Sequence, residues 1–153
     1  MVNKQFANAV HMMLSLAVTT QNQKKSSTTN TKKIEKKCLG LMNSEELAAS
    51  AKTNAVVIRR LICSLSRAGL VHSVRGKSGG VTLAKDPHHI TLNDIYMALD
   101  LTDAISHNAQ PTHKECPVSC GIHEVITSIS EGSEKALAKY LDSQKLSDLI
   151  KKI

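Results

Sequence analysis

Two groups of residues in this chain have the types and spacing for chemistry. The first is Asn54, Val56, Arg59, Arg60, Ser64 and Arg67, followed by Arg75, Lys77 and Ser78 around the turn Gly76-Lys77-Ser78-Gly79-Gly80. Guanidinium groups fork onto guanine edges or phosphate oxygens, and lysine and serine donate to phosphate. That is the chemistry of recognition, not of turnover. The second group is His107, His113, Cys116, Cys120 and His123. Thiolates and imidazoles this closely spaced can hold zinc or an iron–sulfur cluster, and two thiols can form a redox-switching disulfide. A loop with ordinary cysteines and no cofactor is the remaining reading. Paired carboxylates, a nucleophile–base set and a complete phosphate loop are all missing, so the pattern points away from an enzyme. The glycine turn lacks the order G-x-x-x-x-G-K-[ST], which sets a nucleotide site aside.

The elements that must carry the first group are legible on either side of it. Asn43 can cap a helix whose third residue, Glu46, completes a capping box, and Leu47, Ala48 and Ala51 give it an inward face. Thr53-Asn54 caps a second helix over residues 54–68. Its inward residues are Val57, Ile58, Leu61, Ile62 and Leu65, leaving Arg59, Arg60, Ser64 and Arg67 outside. The first two turns of such a helix reach base edges and later residues meet phosphates, so Asn54, Val56, Arg59 and Arg60 are the base-proximal candidates. Cys63 reads as a small packed residue of the core side. Gly69 supplies a left-handed stop. Residues 70–75 and 81–84 form a hairpin whose glycine turn is thin enough to approach DNA. Two short helices followed by a basic hairpin make a winged helix-turn-helix.

The flanks complete the plan. Residues 3–19 read as a first helix with the stripe Phe6, Ala9, Val10, Met13, Leu14 and Ala17. Residues 20–42 are a polar, basic insertion, with a short helix resuming over 34–42. Thr91, with Asp94, caps a helix ending at Leu99. A long helix follows over residues 122–141, striped by Ile122, Val125, Ile126, Ile129, Leu137 and Tyr140. That stripe has no obvious partner in so small a domain and would pair with its copy in a second subunit. Ser143 reads as the cap of a last helix bearing Leu146, Leu149, Ile150 and Ile153. The expected fold is mostly α with a small β-hairpin wing. A winged helix-turn-helix domain spans residues 1–99, a Cys/His-containing loop 100–121, and a dimerisation helix with a C-terminal helix 122–153.

Charge agrees with a DNA-reading front half. Residues 1–85 hold 14 Lys and Arg against three Glu, whereas residues 86–153 hold six Lys against 10 acids. A basic half and an acidic half suit a nucleic-acid face and a separate partner or regulatory face. Aromatic content of 2% argues against recognition by stacked bases. The chain has no 18-residue apolar run and no signal-peptide order, and four cysteines in such a chain suit reduced thiols in the cytoplasm.

The combined run Asn54-Ala55-Val56-Val57-Ile58-Arg59-Arg60-Leu61, Ala68-Gly69-Leu70-Val71, Val74-Arg75-Gly76-Lys77-Ser78-Gly79-Gly80 and Leu83-Ala84-Lys85-Asp86-Pro87 resembles the Rrf-type winged-helix regulators. IscR, NsrR and CymR belong to that family. The resemblance covers most of the chain outside 20–42. It implies a homodimeric transcription factor on a dyad operator, with the chain's residue Ala55 standing where the family often has proline. In cluster-binding members three cysteines lie near residues 107–123. Cys120-Gly121-Ile122-His123 resembles the last cysteine and the following histidine, Cys116 would be a second ligand, and His107 and His113 stand where the third would be. The function expected is a dimeric repressor that binds a pseudo-palindromic double-stranded operator and answers a redox, metal or small-molecule signal. The alternative is a metal- or redox-responsive signalling module whose winged helix binds protein instead of DNA.

Overall fold

The computed structural model describes residues 4–25, 40–76, 79–101 and 117–153. Helix α1 (Lys4–Lys25) lies behind a pair of short helices, α2 (Ser44–Ser50) and α3 (Ala55–Arg67). The hairpin of β1 (Val71–Val74) and β2 (Gly80–Leu83) follows, then one 3-10 turn (Pro87–His89), α4 (Leu92–Ala98), α5 (Pro117–Asp142) and α6 (Leu146–Ile150).

Local chemistry sets each boundary of this helix pair and hairpin. Asn43 Oδ1 accepts from the N–H groups of Glu45 and Glu46, and Glu46 accepts in return from the Asn43 N–H at 2.8 Å. Helix α2 ends with Lys52 at φ 49° and Thr53 N–H donating to the Ala48 carbonyl. The same closure ends α3: Gly69 sits at φ 67°, its N–H bonds the Ser66 carbonyl, and Leu70 N–H bonds the Leu65 carbonyl. This six-to-one bond turns the chain sharply into β1. The strands pair antiparallel from Val71 opposite Leu83 to Val74 opposite Gly80.

One apolar cluster ties these pieces together. Met12, Met13 and Leu16 of α1 meet Leu47 of α2, Ile58, Leu61 and Leu65 of α3, and Val71 and Val81 of the wing. Ile90, Ile95 and Leu146 close it from the C-terminal side. Thr91 and Asp94 form a second capping box at α4. Leu92 N–H reaches the Gln144 carbonyl and Leu146 N–H the Ile90 carbonyl, so the chain's end is pinned beside the start of α4.

Several sequence expectations are corrected. Helix α1 runs to Lys25 instead of stopping at 19, and Thr19 and Thr20 hydroxyls donate back to the Ser15 and Leu16 carbonyls. Its deepest contacts include Met12 and Leu16, while Phe6, Val10 and Leu14 are only half-buried. Residues 40–42 are not helical: Met42 exchanges two backbone hydrogen bonds with Val81 and so edges the wing. The remainder of the expected helix over 34–42 lies outside the described residues. Ser143 does not cap α6. Its hydroxyl donates to the Tyr140 carbonyl at the end of α5, and Lys145 stands at the α6 N-cap without a side-chain bond. Ile153 is exposed and closes nothing. Residues 117–121, expected in a loop, are the first turn of α5.

Candidate nucleic-acid interface

The inward residues of α3 fix what its outward face can offer. Ile58, Leu61, Ile62 and Leu65 are buried, and Val57 is half-buried against the core. The opposite side therefore presents Val56, Arg60, Cys63 and Arg67 in one row, with Arg59 beside them. All five are exposed. Ser64 is half-buried on the flank. Asn54 holds the helix N-terminus by accepting from Val56 N–H at 2.8 Å.

The wing lies alongside. Arg75 is exposed at the tip, Gly76 takes φ 111°, and Gly79 N–H closes the turn onto the Gly76 carbonyl. A side chain at Gly79 would collide with the Val74 carbonyl oxygen, so the turn must be narrow there. Lys77 and Ser78 lie outside the described residues. Between α3 and the wing is an open groove of about 830 Å³, lined by Arg59, Cys63, Arg67, Arg75 and the start of α2 at Asn43 and Ser44. Three guanidinium side chains on one groove supply the fixed donors that phosphate and base edges accept from. Arg59 also approaches Glu45 at 3.8 Å, with both side chains largely exposed. Such a pair contributes about 0–1 kcal/mol, so it leaves Arg59 available to a stronger anion.

Cys63 corrects the sequence reading. It is exposed, not packed in the core, because it falls seven residues after Val56 and four before Arg67, on the outward row. Helical spacing was the available signal, and residue type masked it. Asn43 and Ser73 were also missed as groove residues. Their placement depends on the helix–wing approach, which local sequence does not encode.

The second residue group is only partly in view. His107, His113 and Cys116 lie outside the described residues. Cys120 and His123 are one turn apart on α5, and His123 is exposed. The long helix shows two distinct faces. Ser130 and Leu141 are buried toward the body, with Ile126 and Leu137 half-buried beside them. Val118, Ile122, Val125, Ile129 and Tyr140 form a separate exposed apolar row.

A family model, Rrf2, described as an iron-dependent transcriptional regulator, matches residues 2–152. This chain belongs to the Rrf2 family. As an Rrf2 protein it is a transcriptional regulator, not an enzyme. YwnA of Bacillus subtilis (strain 168), which carries the name of an HTH-type transcriptional regulator, is 32% identical over 108 residues, covering 71% of this chain and 80% of YwnA. Among solved structures, T. potens IscR superposes with a TM-score of 0.66 at 24% identity, covering 99% of this chain and 87% of that one. CymR of B. subtilis, the global cysteine regulator, gives 0.57 at 23% identity over 100% and 98%. At these identities the two structures speak to the fold, a winged helix carrying a small hairpin. No helix among the described residues is long and apolar enough to cross a membrane.

Proposed function

We propose that this Rrf2 protein is a homodimeric repressor that binds a pseudo-palindromic DNA operator through α3 and the wing. The observation that carries the proposal is the exposed outward face of α3, with Val56, Arg59, Arg60 and Arg67, beside a groove that Arg59 and Arg67 share with Arg75. Arg59 and Arg60, in the first turns of α3, reach base edges. Arg67, Ser64 and the wing residues Arg75, Lys77 and Ser78 meet backbone phosphates. Asn54, with its oxygen turned to the helix, contributes its amide N–H groups as donors.

The dimer rests on α5. Val118, Ile122, Val125 and Ile129 follow a four-three-four spacing, and the row then steps by four again to Ser133 and reaches Tyr140 through Ala136, an 11-residue repeat. That spacing is a coiled-coil seam, and its exposure leaves it free for a second copy. Ile126 and Leu137 flank the seam. A two-fold axis there sets two α3 helices on half-sites about one helical turn or more apart.

The signal enters at the Cys/His stretch. Iron, which the family's description implies, needs a donor set. This stretch supplies two thiols, Cys116 and Cys120, with His107, His113 and His123, against the four thiolates of the common clusters. Cys120 and His123 on one helix turn do not by themselves complete such a set. A thiol switch at Cys116 and Cys120 fits the residues more simply.

The test is a mobility-shift assay of the full-length protein on the DNA upstream of its own gene, in reduced, oxidised and metal-loaded states. Saturable, sequence-selective binding is expected in at least one state, weakened by Arg60→Ala and Arg75→Ala. Selective binding in none of them overturns the proposal. Anaerobic purification with an absorption spectrum and metal analysis separates cluster, zinc and thiol chemistry.

A further inference from the structure

The outward face of α3 carries one large apolar side chain among its charges. Val56 is 49% exposed, although every other large aliphatic residue of the helix is buried or packs against the core. It occupies the first turn, and its N–H is held by the Asn54 side chain at 2.8 Å. Arg59 and Arg60 follow one turn later, so all three point to the same side of the helix.

A major groove offers one apolar group to such a side chain, the C5-methyl of thymine. We propose that Val56 reads a thymine methyl in each operator half-site. The inference rests on the DNA-reading function proposed above and names a base that it selects. The Asn54 cap supports the assignment. Two-way recognition of adenine needs an amide oxygen as acceptor and an amide nitrogen as donor, and the Asn54 oxygen is turned back to the Val56 N–H. Apolar contact by Val56 is then the base-selective element at this end of the helix. One helical turn advances about 5.4 Å, against about 3.4 Å per base pair along a DNA strand. The thymine then lies one to two base pairs from the base that Arg59 or Arg60 reaches.

The probe is a duplex selected by full-length protein from a randomised pool. Each thymine of the selected duplex is replaced in turn by deoxyuridine, which removes the methyl alone. At one thymine per half-site the replacement weakens wild-type binding about fourfold, the worth of one buried methyl group. Val56→Ala binds the thymine and deoxyuridine duplexes equally while still losing affinity when Arg60 is also changed to Ala. The inference is overturned if no thymine methyl matters to the wild type, or if Val56→Ala keeps the full discrimination. A pool that yields no selected duplex overturns the DNA-reading function itself, and the inference with it.

Discussion

Ile129→Glu is the most informative single perturbation, because the lone protomer and the dimer respond to it differently. In the protomer Ile129 is 50% exposed, with Val118, Ile122, Val125 and Tyr140 at 69%, 46%, 53% and 64% along the same row. Full burial of such an aliphatic side chain contributes about 1.5–3 kcal/mol. Covering the half still in water is then worth about 1 kcal/mol, and two-fold symmetry counts it twice. The substitution also places two carboxylates in an apolar seam, where unpaired charges cost several kcal/mol more. The dimer should weaken by more than about 3 kcal/mol, at least a hundredfold in dissociation constant. Thermal melting of the protomer should change far less, since Ile129 touches solvent and not the central core. Sedimentation equilibrium of wild type and variant measures the first quantity, and circular dichroism the second. A variant that dimerises with wild-type affinity, or a wild type that is monomeric at micromolar concentration, refutes the reasoning.

Three further outcomes follow from the reading unit. Asn43→Ala removes the side-chain acceptor for the Glu45 and Glu46 N–H groups and should cost about 1–2 kcal/mol, read as a fall of several degrees in Tm. Glu45→Gln releases Arg59 from an exposed pair, so stability should hold within about 0.5 kcal/mol while DNA affinity rises at low salt, checked by melting and anisotropy titration. Cys63 is exposed on the groove, so a maleimide should label it rapidly and block DNA binding. Bound operator should protect it, and Cys63→Ser should bind DNA yet resist the block, as mass spectrometry of the labelled peptide will show.

The parts of the fold legible in the sequence are those decided locally. Asn43 with Glu46, and Thr91 with Asp94, announce their helices because a cap and its partner lie three residues apart. Gly69 announces the end of α3 because the turn needs a left-handed residue. The misread parts depend on distant neighbours or on competing local bonds. Met42 edges the wing only because Val81 arrives beside it. Thr20 and the following Gln and Lys residues look like a loop by polarity, yet Gln and Lys are good helix formers and α1 extends through them. Ser143 has the residue type of a forward cap but bonds backward to Tyr140. In the candidate site, the arginines of α3 were evident from charge and spacing. Cys63 was hidden because cysteine is so often buried.

Selective DNA binding by α3 and the wing together can be read in one titration. Fluorescence anisotropy compares the operator duplex with a scrambled duplex of equal composition from about 50 to 200 mM salt, for wild type and for Arg60→Ala and Arg75→Ala. Wild type should favour the operator by at least about a thousandfold. Arg75→Ala should weaken binding to both duplexes and lower the salt slope by about one for each phosphate left without its cation, while Arg60→Ala should erode the preference for the operator. Equal binding of the two duplexes by wild type, or indifference to both substitutions, would mean that α3 and the wing do not read DNA.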